Sequence, residues 1–179
     1  MRSMKQLVLM ASYGDLSSQF ARLEYEVSEV LVILIDKDPG HMAGYLVAAE
    51  FQMSRKVSML LELAYFRCVH DKAVQERVAV VCKEIKDILP TRNTFAHGLW
   101  GFMKEDFDPD VISVLDMNVK RVGHTKDQWT RAKSARFSID DIKKLLNRVG
   151  AIIRALESIK KDFERVGLQP LNPPEIVAD

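Results

Sequence analysis

Cysteine is scarce in this chain, with only Cys68 and Cys82 among 179 residues. Their spacing suits neither a disulfide framework nor a metal motif, so both are expected to be buried thiols in a reducing cytoplasm. The four histidines, His41, His70, His97 and His124, never pair at helical ligand spacing, and H-E-x-x-H is absent. No metal centre and no cofactor is therefore expected. Glycine-rich phosphate loops and serine nucleophile elbows are missing too. The longest purely aliphatic run, Val30 to Ile35, is far below membrane-spanning length, which argues against a membrane partner. The N-terminal apolar run is short and passes directly into Gly14-Asp15, so it reads as a mature intracellular start. A surplus of one charge is also lacking. Lys and Arg number 26 against 25 Asp and Glu, so any nucleic-acid surface must be local.

What is present is hydrophobic patterning. At 47% hydrophobic content the chain can bury a proper core, and it reads as one domain over residues 1–166. A tail over 167–179, with Pro170, Pro173 and Pro174, follows. The fold class expected is all-α: a bundle of four long helices at 16–36, 41–69, 72–89 and 138–166, with an inserted β-hairpin near 99–116. Leu16, Phe20, Leu23, Val27, Leu31 and Leu34 form the first stripe at steps of three and four. Met42, Leu46, Ala49, Met53, Val57, Leu60 and Ala64 form the second, its methionines serving as adaptable core filler. Asp71 can cap the third helix, whose stripe is Val74, Val78, Val81, Ile85 and Ile88, and Pro90 should stop or kink it. Leu99 to Met103 and Val111 to Leu115 read as the two strands of the hairpin. Ser138 and Asp141 form a capping box for the last helix, with Phe137 and Ile142 as its staple. Ile142, Leu145, Val149, Ile152, Leu156, Ile159 and Phe163 continue it to Gly167.

Two stretches carry charge or chemistry. Between Lys120 and Phe137, six basic residues (Lys120, Arg121, Lys126, Arg131, Lys133 and Arg136) stand against the single acid Asp127, with Trp129 among them. This segment fits either a solvated linker or a contact to RNA phosphates. The second stretch is Pro90 to Trp100, P-T-R-N-T-F-A-H-G-L-W. On a short helix closed by Gly98, Asn93 and His97 share a face, being four apart. Arg92 and His97 diverge by about 140°, so only a long side chain could bring the guanidinium round to the imidazole. A five-donor cation beside a group that titrates near neutrality suits phosphodiester chemistry. The same pair can equally hydrogen-bond the last carbonyls of a helix and hold the hairpin in place.

Arg92, Asn93, Ala96, His97 and Gly98 give the stretch a form that resembles the HEPN family. These are helical-bundle proteins defined by an arginine and a histidine four to six residues apart, often with asparagine after the arginine. The resemblance implies a HEPN-like bundle and a homodimer in which the two motifs face each other. It implies metal-independent cleavage of RNA by an endoribonuclease of the toxin or phage-defence kind. His97 would be the general acid–base group on a ribose 2′-hydroxyl, Arg92 would hold the phosphate, and Asn93 would orient the imidazole or the phosphate. A separately encoded antitoxin or regulatory partner goes with that reading. Some members of the family are non-catalytic, which keeps open a dimer that binds RNA, a nucleotide or a protein partner.

Overall fold

The computed structural model describes residues 4–36, 42–101, 111–115 and 134–168. They form α1 (Met4–Ile35), α2 (Met42–Glu50), α3 (Met53–Arg67), α4 (Lys72–His97), β1 (Leu99–Gly101), β2 (Val111–Leu115), β3 (Ser134–Ser138) and α5 (Ile139–Val166). The chain is mainly helical, as expected, and no described helix is long and apolar enough to cross a membrane. It groups into two compact units, Met1–Ala21 with Ile88–Ala151, and Arg22–Asp87 with Ile152–Asp179.

In the second of these units the helical stripes read from the sequence form the core. Leu23, Val27, Leu31, Leu34, Val57, Leu60, Ala64, Val74, Val78, Val81, Ile85, Ile152, Leu156, Ile159 and Phe163 are all buried. Asp71 caps α4, its Oδ1 accepting the Val74 N–H at 3.0 Å. Gln75 Nε2 donates to the carbonyls of Tyr65 and Cys68 (3.1 and 3.0 Å), satisfying backbone acceptors at the end of α3. Lys56, nearly buried, is held by Glu24 Oε1 at 3.3 Å and Ser28 Oγ at 3.1 Å. Lys160 and Glu26 pair at 2.7 Å with little exposure.

The helix expected over 41–69 is two helices. The chain bends at Phe51, and Gln52 takes an extended conformation (φ −63°, ψ 153°) from which α3 restarts. The reason lies in which faces are buried. At about 100° per residue, Gly44 and Ala48 of α2 lie roughly opposite Met53, Val57, Leu60 and Ala64 of α3 on one continuous helix. All six are buried, which a single straight helix on one core could not achieve. The break reverses the face, so Met42, Leu46 and Ala49 of the expected stripe point outward. Gly44 makes the reversed contact feasible. A Cβ there would stand 3.1 Å from Val32 Cγ1, so α2 approaches α1 more closely than alanine comfortably allows.

In the first unit, α1 begins at Met4 and so absorbs the lead-in that was expected before residue 16. The hairpin is part of a three-stranded antiparallel sheet in the order β1-β2-β3. The additional strand, β3, comes from the end of the basic stretch. Ile112 and Val114 alternate inward along β2. Ile112 pairs with Phe137, and Ser113 with Arg136. At the start of α5 the capping box forms as read: the Asp141 N–H donates to Ser138 Oγ (3.1 Å), and the Ser138 N–H donates to Asp141 Oδ2 (3.0 Å). In the second unit, Gly167 ends α5 at φ +65°, the left-handed conformation that favours glycine.

Candidate active site at the end of helix α4

The helix expected over 72–89 does not end at Pro90, where a stop or a kink was expected. Pro90 lies inside α4, which continues to His97. Proline removes the bond to the residue four before it and costs a helix interior about 3 kcal/mol. Packing on both sides of it offsets that cost. The α4 stripe runs on from Ile85 and Ile88 to Phe95, and all three are buried. Fully burying one such side chain contributes roughly 1.5–3 kcal/mol. Beyond the proline, Thr94 Oγ1 donates to the Pro90 carbonyl at 3.1 Å, and the Gly98 N–H closes the helix on the Thr94 carbonyl at 3.0 Å.

Phe95 is the anchor of this turn, with 1% of its surface exposed. Its ring stacks with Tyr13 (centroids 6.0 Å apart) and meets the edges of Phe20 (6.2 Å) and Phe137 (4.6 Å). Aromatic pairs in this range add to the area they bury. The Tyr13 hydroxyl also donates to the Phe95 carbonyl at 3.4 Å, one of the last carbonyls of the helix. With Phe95 turned inward, helical geometry sets the rest. Asn93 and His97 lie about 160° to either side of it, close together on the outer face, while Arg92 sits about 60° from it on the flank. Burial agrees: Asn93, Ala96 and His97 are exposed and Arg92 is half-buried.

From that flank Arg92 reaches outward, its Nη1 donating to Asn93 Oδ1 at 3.2 Å. The guanidinium is thus drawn toward the side chain that shares a face with His97. Arg92, Asn93 and His97 lie within the last two turns of α4, the asparagine and histidine exposed and the half-buried arginine hydrogen-bonded to the asparagine. Phe95 and Tyr13 fix this turn, yet neither stands out in the sequence as a site residue. The signal for Phe95 was there, seven positions after Ile88 on the same stripe, and it was hidden by ending the helix at residue 89, before Pro90.

Of the basic residues considered for RNA contact, only Arg136 falls within the described residues. It is exposed on β3, in register with Ser113 and opposite in phase to the inward Phe137. Lys120, Arg121, Lys126, Arg131 and Lys133 lie outside the described residues, as does Trp129. Cys68 and Cys82 are free and buried, as expected. Among the described residues no cluster of three or more His, Cys, Asp or Glu is placed to hold a metal ion. Compared with family models, curated proteins and solved structures, the chain matches none.

Proposed function

We propose that the protein is a HEPN-type endoribonuclease of the toxin or phage-defence kind, acting as a homodimer. The observation that carries this reading is the composition of the last two turns of α4. A histidine and an asparagine share its outer face, and a flanking arginine is hydrogen-bonded to that asparagine. His97 takes the proton of a ribose 2′-hydroxyl, and the freed oxygen attacks the adjacent phosphorus. The bond from phosphorus to the 5′-oxygen breaks, and that oxygen leaves with the proton that His97 returns. The guanidinium of Arg92 neutralises the charge that grows on the phosphoryl oxygens, and its fork suits that geometry better than a point charge. The Asn93 amide, with its oxygen engaged by Arg92, keeps its N–H groups for the phosphate.

The test is incubation of the purified protein with RNA in the presence of a chelator. Products ending in 2′,3′-cyclic phosphate and 5′-hydroxyl are expected, with DNA inert because it lacks the attacking group. His97→Ala should lower the rate roughly 10²–10⁴-fold, and Arg92→Lys should also be poor. Equal cleavage by wild type and His97→Ala, or binding of RNA without cleavage, would favour a non-catalytic HEPN-type module that binds RNA, a nucleotide or a protein partner.

A further inference from the structure

Helix α2 has no polar face. Of Met42–Glu50 only the last residue is charged, and a helix apolar all round is normally covered all round. Gly44 and Ala48 are buried, Gly44 against Val32 of α1. Met42, Tyr45, Leu46 and Ala49 fall within about 100° on another face, and all four are exposed. Tyr25 of α1 lies beside that face, close enough to act electrostatically on the Tyr45 hydroxyl. Tyr25, Met42, Tyr45 and Leu46 are between 42% and 69% exposed. The patch is also set in place, because the Tyr45 hydroxyl is hydrogen-bonded to Glu29 of α1. The charge of Glu29, with that bond, raises the hydroxyl above the ordinary tyrosine range.

Size and charge narrow the occupant. Four side chains so exposed present on the order of 400 Å² of mainly apolar surface. That is roughly half of the ~800 Å² each partner contributes to a standard protein interface, enough for its apolar core. α2 carries no cation, and the charges at the patch, Glu29 and Glu50, are acidic. Lys160, the cation that acts on Tyr45, is paired with Glu26 at 2.7 Å. An RNA backbone or an anionic lipid surface would therefore be repelled. The spacing singles out a second copy. From its centre the stripe reads the same in both directions, so a two-fold axis between Tyr45 and Leu46 sets two α2 helices antiparallel. Met42 of one protomer then meets Ala49 of its partner, large against small, and Tyr45 meets Leu46. Glu50 comes to the start of the partner's α2, where the helix dipole favours a negative charge.

We propose that the outer face of α2, with Tyr25, is a two-fold contact between copies of this chain. The proposed ribonuclease also needs a dimer, but this contact follows from α2 alone and does not depend on RNA cleavage.

The experiment is sedimentation equilibrium of the full chain over a concentration series. Wild type should pass from 20.4 kDa to about twice that mass, and Leu46→Glu should raise the dissociation constant by about tenfold or more. Leu46 is exposed, so the variant keeps its fold. Register is read separately with Met42→Cys and Ala49→Cys combined in one chain, which should form a disulfide-linked dimer on mild oxidation. Either substitution alone should not, because its counterpart across the axis is about 10 Å away. Cys68 and Cys82 are buried and stay out of the reaction. A wild-type monomer would overturn the proposal and leave the face to a different protein. So would a dimer in which the combined cysteines never link. A dimer left intact by Leu46→Glu would overturn it too, while sparing the catalytic reading and its facing motifs. A dimer lost in that variant, from a wild type that cleaves no RNA, would support this contact and fail the catalytic reading.

Discussion

At the residue scale, burial decides which chemical groups are in play. Cys82 is buried with its Sγ 3.6 Å from the Val57 carbonyl, and desolvation pushes its thiol up to about 12. Cys68 is raised for the same reason, although the neighbouring Arg67 acts against the rise. Since only the thiolate is a good nucleophile, neither should react in the folded protein. Ellman's reagent at pH 8 is expected to titrate no thiol in the native state and two after denaturation. A fast native reaction would place one of them in an open environment. His97 and Asn93 are the opposite case, exposed because Phe95 takes the inward position of their turn.

At the element scale, capping is the feature most open to measurement. Hydrogen bonds from the Ser138 hydroxyl (2.7 Å) and backbone N–H (3.0 Å) hold the Asp141 carboxyl below the usual carboxylate range. A depressed carboxylate contributes stability above the unfolded-state value, about 4, and loses it as pH falls through the lower folded value. Asp141→Ala should therefore melt lower than wild type at pH 6, with the gap closing as pH falls below about 4. A gap that stays constant as the solution is acidified would assign the effect to packing. This cap was legible beforehand because all its parts lie within four residues of sequence. The stripe of α1 was legible for a similar reason, since a period of three and four is local information. The break at Phe51–Gln52 was not. It carries no glycine or proline, and its cause is the reversal of buried faces between α2 and α3, which only tertiary packing specifies. Strand β3 was hidden likewise, because its pairing with β2 is long-range and Ser134–Ser138 reads locally as the end of a basic stretch. In the candidate site Arg92, Asn93 and His97 were visible as a motif, whereas the aromatic anchor from Tyr13, Phe20 and Phe137 was assembled across distant sequence.

At the scale of the whole molecule, two expectations follow from the proposed function. Light scattering at micromolar concentration should give about twice the 20.4 kDa chain mass. A monomer would remove the facing pair of motifs and weaken the catalytic proposal with it. With a net charge of only +1, binding to RNA should depend on the local cluster that ends at Arg136. Replacing Arg131, Lys133 and Arg136 together by glutamine should weaken RNA binding and flatten its dependence on salt. An unchanged slope would give that segment a structural role instead.

Two junctions in the first unit set a further constraint, on length. Gly98 alone separates the last residue of α4 from the first of β1, and no residue separates β3 from α5. Neither join has slack. A single residue inserted after His97 would shift β1 by one position against β2 and exchange its two faces, because a strand repeats every second residue. An insertion between Ser138 and Ile139 would pull the capping serine off its helix while Phe137 stayed seated on Phe95. At these two joins the chain can change its letters far more readily than its count.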